Sequence, residues 1–331
     1  MRDCAGAVSG GKSCNCVILL GPTACGKTAI GVAIARERNG EIVSADSRQV
    51  YKGLDIGSGK DLDEYASGGI PVPYHLIDIT DLKSEYNVFQ YQKDFYRVFQ
   101  DIVGRKKLPV VVGGTGMYLD AVIRNYDLVE VPENEKRRAE LEAMPIEELS
   151  RLLLSLKPDL HTREDLRDKV RCIRAIEIAE YMKSPEAALM RKTMTSRPDI
   201  RPLVIGTTLL REELRERIAK RLKSRLDSGM IEEVEALHRG GASWERLETL
   251  GLEYRFVAEY LQGKIASRGE LYEKLIVAIR RFAKRQETWF RGMEHKMKAQ
   301  GSSIHWLPCV SDINVRVHAA LSLVDEYVTL R

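Results

Sequence analysis

An α/β fold, with a parallel sheet at its core, flanking helices and a helical insertion, is what the 331-residue sequence predicts. Three observations carry that expectation. Over the first 125 residues short apolar runs alternate with helical patterns, the texture of βαβ units and a parallel sheet. The first of those runs ends in a glycine-rich turn of the kind that cradles phosphate. From about residue 133 the strand signals stop and charged helical patterns replace them, until one apolar run near 203 rejoins the sheet.

Residues 1–15 read as an N-terminal tail, expected to be disordered. Cys16-Val-Ile-Leu-Leu20 is the first buried strand and runs straight into Gly21-Pro22-Thr23-Ala24-Cys25-Gly26-Lys27-Thr28, which fits G-x-x-x-x-G-K-[ST]. Gly6 to Ser13 fits the same pattern, but too few and too polar residues precede it for a strand, and Cys-Asn-Cys rather than a helix follows. After Thr28 comes Ala29-Ile-Gly-Val-Ala-Ile-Ala35, apolar and helix-compatible, so 27–38 is the first helix. Strands are expected at Glu41–Ala45, Tyr74–Ile79 and Leu108–Gly113, and a helix at 88–104. Between them, Lys52 to Pro73 is rich in Gly and Asp and reads as a long, mobile loop.

The second half begins with helical patterns over Glu133–Leu156 and Leu166–Met182. Lys183 to Pro202, with Arg191, Lys192, Arg197, Arg201 and three prolines, reads as a loop or hinge. Leu203–Thr208 reads as a strand, and 211–227 and 271–299 as helices. The predicted organisation is therefore a phosphate-loop core domain made of 16–125 and 203–310, like that of P-loop NTPases. A helical insertion domain covers 126–202, and a C-terminal helical tail 311–331.

Composition narrows the function classes. Hydrophobic residues make up 44% of the chain, enough for a true core, and a net charge of +4 leaves any basic footprint to be local. No apolar stretch approaches the roughly 20 residues of a membrane span, and the N-terminal cations and short apolar run make a poor secretory signal. Cys4, Cys14, Cys16, Cys25, Cys172 and Cys309 have neither zinc-site nor disulfide-framework spacing. These features predict a cytoplasmic protein with reduced thiols that touches no membrane; a monomer is expected, although the sequence itself does not reveal the oligomeric state.

The candidate chemistry gathers at strand ends. In the Gly21–Thr28 loop, backbone N–H groups and the following helix N-terminus grip an anion, Lys27 adds a mobile cation, and Thr28 a hydroxyl suited to Mg²⁺. Asp46 follows the second strand, where an open parallel sheet faces its ligand crevice. It is either a proton acceptor or holder of a metal-bound water, or a turn and cap aspartate. Gly113-Gly-Thr-Gly116 ends another strand on that edge, with Thr115 offering a hydroxyl or merely a turn. A nucleotide hydrolase usually carries an acidic metal ligand after such a strand; here there is Gly113, although Asp78 could take that role.

Two basic helices complete the inventory. Helix 211–227 has seven Lys or Arg in its first fifteen positions, with Arg217 and Arg221 on one face. In Arg280–Arg291, helical spacing gives an apolar stripe of Leu275, Ile279, Phe282 and Trp289 beside a basic one of Arg281, Lys284, Arg285 and Thr288. The basic row suits a phosphate backbone, or a solvated surface, while Trp289 reads as core rather than as a base-stacking platform.

Together these segments resemble one family. Gly21–Thr28, Asp46-Ser-Arg-Gln-Val-Tyr51, Gly113-Gly-Thr-Gly-Met-Tyr118, Arg171-Cys-Ile-Arg-Ala-Ile-Glu177 and Ala283-Lys-Arg-Gln-Glu-Thr-Trp-Phe-Arg291 are similar to those of the tRNA dimethylallyltransferases, or tRNA isopentenyltransferases, in order and at family spacing from about residue 16 to 308. The resemblance implies transfer of a dimethylallyl group from its diphosphate to N6 of the adenine 3′-adjacent to the anticodon, with Mg²⁺, and a tRNA anticodon stem-loop held between core and insertion. It implies Asp46 as the base on the adenine amine, with Thr115 beside that centre. Gly21, Pro22, Thr23, Ala24, Cys25, Gly26, Lys27, Thr28 and Arg217 would hold the diphosphate, and Thr28 the metal. Asp46, Ser47, Arg48, Gln49, Arg137, Val170, Arg171, Cys172, Ile173, Arg174, Lys284, Arg285, Gln286, Glu287, Thr288, Trp289, Phe290 and Arg291 would touch tRNA. The family's Gly-Tyr-Lys/Arg-Glu/Gln reads Gly251-Leu-Glu-Tyr254-Arg255 here, Cys25 replaces a commoner small residue, and the zinc-finger tail of some eukaryotic members is not seen, which favours a bacterial-type enzyme.

Two rival readings differ in class. A P-loop small-molecule kinase would bind ATP and need an arginine-bearing lid and an adenine pocket, neither identifiable here. A non-catalytic RNA-binding module has no use for Asp46 or for a complete phosphate loop.

Overall fold

Cys16–Leu20 (β1), Gly40–Ala45 (β2), Tyr74–His75 (β3), Leu108–Gly113 (β4), Pro202–Gly206 (β5) and His305–Trp306 (β6) form one parallel sheet in the order β3-β2-β4-β1-β5-β6. The computed structural model describes residues 14–126, 128–158, 166–188 and 197–328. The chain divides into two units, one of Met1–Tyr126 with Pro198–Arg331 and one of Asp127–Arg197.

Apolar runs without polar alternation become strands buried on both faces. Successive residues point to opposite sides. Ile18, Leu20, Val43 and Val111 pack against Tyr91, Phe95 and Phe99 of the helix Val88–Gly104 and against Phe290 and Met293 of the long helix Arg268–Lys298. On the other face Val17, Leu19, Ile42, Val110 and Val112 meet Ile30 and Ile34 of Lys27–Glu37, and Ala320 and Val324 of Ile313–Tyr327. Asn87 starts the Val88–Gly104 helix with a reciprocal capping box to Gln90.

A third core is mostly helical and reaches the phosphate loop. Leu222, Met230, Leu247, Tyr254, Leu271 and Leu275, from the helices between 211 and 298, enclose Cys25 of the phosphate loop and Val50, Tyr51 and Leu54 beyond β2. The smaller unit wraps Glu135–Glu142, Ile146–Leu156 and Lys169–Tyr181 around Leu141, Leu149, Leu153, Cys172 and Ile176.

Several elements depart from expectation. The strand expected over 74–79 stops at His75, because Leu76 and Asp78 take left-handed φ values of 61° and 56°. The 133–156 pattern is two helices, the second opening at Pro145, whose ring favours a helix start. The 52–73 loop is pinned: Lys60 is buried and donates to the Tyr51 carbonyl at 2.9 Å and to Asp55 at 2.6 Å, with Asp78 as a further partner. The 311–331 segment is not an appended tail, since the Ile313–Tyr327 helix covers one face of the sheet and its Ala320 and Val324 are part of that core. Of the tail expected over 1–15, residues 1–13 lie outside the described residues. Cys14 donates its N–H to the Tyr327 carbonyl at 2.9 Å, and Asn15 its own to that of Arg201 at 2.9 Å. Residues 189–196 of the expected 183–202 hinge also lie outside the described residues.

Candidate active site

The sheet register assembles the site. Leu20, the last residue of β1, is level with Gly113 of β4 and Gly206 of β5, and Ala45 of β2 is level with Gly113. Four strand ends therefore deliver the Gly21 loop, Asp46, Gly114–Thr115 and Thr207 to one edge, the edge where open α/β sheets bind ligands.

The Gly21–Thr28 loop makes a tight turn between β1 and the helix that follows. A side chain at Gly21 would sit 2.2 Å from the Thr207 carbonyl oxygen, so the close approach of β5 demands glycine. Gly26, at φ 86°, reverses the chain into the Lys27–Glu37 helix in the left-handed region. The Lys27 ammonium folds back and donates to the Pro22 carbonyl at 2.6 Å. Burial pushes its pKa down, as for a cation held with no full counter-charge.

Asp46 takes the turn role weighed for it and also lines the site cavity. Its Oδ1 accepts the N–H groups of Arg48 at 2.8 Å and Gln49 at 3.4 Å, which fixes the carboxylate, and among the described residues no hydrogen bond falls on Oδ2. Thr115 Oγ1 accepts the Ser47 N–H at 3.0 Å, and the Thr115 N–H donates to the Ala45 carbonyl at 3.2 Å. The hydroxyl thus braces the turn that carries Asp46.

Lys27, Thr28, Asp46 and Thr115 line one cavity of about 380 Å³. Its wall also holds Arg221 and Arg225. Arg221 donates to Asp61 at 2.7 Å and reaches Thr23 Oγ1 at 3.4 Å. Arg225 lies 3.6 Å from Glu253, with its Nε and Nη2 buried and without partner among the described residues. Burial pushes Arg225 down to about 10 and Glu253 upward.

Arg217, expected to hold the diphosphate, instead pairs with Glu213 at 3.1 Å and donates to the Ser311 carbonyl at 3.0 Å. Arg221, one turn further along the same face, is the residue that reaches the loop. Asp78 is likewise occupied, in its ion pair with Lys60.

The expected RNA-contacting residues divide by exposure. Ser47, Arg48 and Gln49 line the cavity, and Gln49 ties Ser44 to the Gly59 carbonyl. On the long helix, Lys284, Arg285, Thr288, Trp289 and Arg291 are exposed, with Trp289 at 40%. Trp289 is therefore a surface ring and not core, and Phe282 beside it is also exposed. The buried row runs through Ala283, Gln286, Phe290 and Met293. Phe290 is sealed against the sheet, and Glu287 accepts from Thr208 at 2.9 Å. Gln286 is a bridge: its Oε1 accepts the Thr23 N–H at 2.8 Å and its Nε2 donates to the Gly114 carbonyl at 2.9 Å. In the smaller unit, Val170 and Arg171 are exposed, but Cys172 and Ile173 are core and so cannot meet a partner from outside. There Arg137 is paired with Glu180 at 2.6 Å, and Arg174 with Glu177 at 3.0 Å.

Sequence reasoning passed over Gln286 as a clamp and Arg225 as a wall cation. For Gln286 the signal was available, as a polar residue four before Phe290 and three after Ala283 on a row that must be buried.

A phosphate-loop α/β protein with a carboxylate facing the loop is the class that fold and site define. Among the described residues no helix is long and apolar enough to cross a membrane. The family profile described as IPP transferase matches residues 49–293, and that described as isopentenyl transferase matches 14–69. The chain is 55% identical to tRNA dimethylallyltransferase 2 of Treponema denticola over 88% of this chain and 95% of that one. It is 52% identical to tRNA dimethylallyltransferase 1 of Geotalea uraniireducens over 89% and 93%. The full-length tRNA isopentenylpyrophosphate transferase of Bacillus halodurans superposes with a TM-score of 0.67 at 30% identity, covering 96% of this chain and 97% of that one. The chain belongs to the IPP transferase family.

Proposed function

We infer that the protein is a tRNA prenyltransferase that moves a dimethylallyl group from dimethylallyl diphosphate to N6 of the adenine 3′-adjacent to the anticodon, giving N6-(dimethylallyl)adenosine and diphosphate. The single observation behind this reading is that Lys27 and Asp46 line the same cavity, in a chain of this family.

The reaction breaks the allylic C–O bond, and its electron pair stays on the diphosphate oxygen. The Gly21–Thr28 amides and Lys27 stabilise that charge, and fixed donors in a partly dry site do so without reorganising. The adenine N6 lone pair forms the new C–N bond, and Asp46 Oδ2 takes the N6 proton. Adenine N6 is a poor nucleophile, so removing its proton as the bond forms is where a base contributes. Thr115 keeps the base in place through Ser47. An unstacked anticodon-loop base enters such a cavity at little cost.

Magnesium fits this donor set. The Thr28 hydroxyl and Asp46 carboxylate are hard oxygen donors in the cavity, and Mg²⁺ commonly takes few protein ligands, with phosphate oxygens and water for the rest. Thr28 would hold it, and the bound ion would neutralise charge on the departing diphosphate.

The test offers labelled dimethylallyl diphosphate and γ-labelled ATP in parallel, with an anticodon stem-loop as acceptor. Label reaching RNA from the prenyl donor is the expected result. Transfer of the γ-phosphate alone would reassign the protein as a kinase.

A further inference from the structure

Arg316 is the largest fully buried side chain described, and it lies on the Ile313–Tyr327 helix, beyond the residues 49–293 that the family profile matches. Its Nη1 donates to the Cys25 carbonyl at 2.5 Å and lies 3.3 Å from Thr207 Oγ1. A Cβ added at Gly26 would sit 3.4 Å from its Nη2, so the guanidinium is pressed against the phosphate loop. The Ile313–Tyr327 helix packs with Lys27–Glu37 on one face of the sheet, so Arg316 meets the loop from the helix side. Its Nε and Nη2 are buried with no partner among the described residues.

The peptide joining Cys25 to Gly26 is trans, so its C=O and N–H point in opposite directions. An arginine that holds the Cys25 carbonyl on the helix side must turn the Gly26 N–H away from the helix. We propose that Arg316 is a positioning residue for the diphosphate: it aims the Gly26 amide at the anion and supplies from behind the loop a positive charge that no carboxylate among the described residues hydrogen-bonds.

A buried guanidinium with no carboxylate hydrogen-bonded to it among the described residues is costly. Burial pushes Arg316 downward, with the Arg217 charge adding to that and the Glu213 carboxylate opposing it. Anion binding and the docking of the C-terminal helix are then linked, and the linkage is reciprocal.

This inference deepens the prenyl-transfer reading, and its test is chosen so that the two fail separately. Inorganic diphosphate with Mg²⁺ is titrated calorimetrically into the parent protein, Arg316→Met and Arg316→Lys, and anticodon stem-loop affinity is measured on each. Arg316→Met is expected to bind diphosphate about tenfold more weakly or worse, with stem-loop affinity within about twofold. Arg316→Lys, which keeps the charge, is expected to recover part of the loss. The diphosphate-induced rise in melting temperature, taken relative to each variant's own unliganded value, should shrink in Arg316→Met. Unchanged diphosphate affinity in Arg316→Met overturns the inference, as does an equal fall for the stem-loop. Should Arg316→Met fail to fold, a Lys variant with parental diphosphate affinity and an undiminished ligand-induced shift overturns it too. A parent protein that binds no diphosphate would instead remove the functional reading itself.

Discussion

Gln286 offers the sharpest test of how the site is held. Its side chain spans the phosphate loop and the turn after β4, accepting from Thr23 and donating to Gly114. Gln286→Met removes both bonds at nearly constant volume, so no cavity term enters. The Gly114 carbonyl is left buried and unpaired, at about 2 kcal/mol, whereas cavity water can reach the Thr23 N–H and limits that loss to about 1 kcal/mol. The sum is about 3 kcal/mol of folding stability, read from urea titrations. The rate effect is separate: a loop displaced by about 1 Å costs about 10²-fold in a reaction that depends on orientation. Single-turnover transfer at saturating donor and stem-loop reads it. A variant within about 0.5 kcal/mol and twofold of the parent would refute the bridging role.

Other perturbations address separate parts of the account. Asp46→Asn is expected to slow single-turnover alkylation by about 10²-fold or more, as for loss of a general base, with stem-loop affinity near normal in a filter-binding assay. Glu41 is buried under Arg105, Lys107 and His75 and held well below the usual carboxylate range, chiefly by hydrogen bonds from Arg105. A depressed folded pKa gives stability that is present above the ordinary value of 4.5 and lost as pH falls below it. Glu41→Gln should therefore cost about 2 kcal/mol at pH 7, and less with each step into acid, by urea titration at each pH. Trp289→Ala, at an exposed ring, is expected to weaken stem-loop binding by about 1 kcal/mol if bases stack there, with the same melting temperature within about 1 °C.

The core was legible because its strands are uninterrupted apolar runs; β1 and β4 fall where those runs predict, and the glycine-rich turns mark their ends. Two-residue strands such as His305–Trp306 carry no periodic signal, and pairing with β5 alone defines that one. The phosphate loop and Asp46 could be read from strand-end logic. The walls could not, since Arg221 and Arg225 sit among seven similar cations and only the turn of one helix selects which face the cavity. The long helix misled for a related reason. Apolar Phe282 and Trp289 suggested an inward stripe, yet the buried row passes through Gln286, because two backbone partners satisfy its amide. Arg316 was invisible for the opposite cause: an isolated arginine in a helical stretch reads as solvent-exposed.

The most direct measurement is a crystal structure of the protein with inorganic diphosphate, Mg²⁺ and an anticodon stem-loop. The account predicts diphosphate on the amides of Gly21–Thr28 and the N6 of one flipped adenine about 3 Å from Asp46 Oδ2. A diphosphate bound elsewhere, or an adenine amine that never enters the cavity with Asp46, would contradict it.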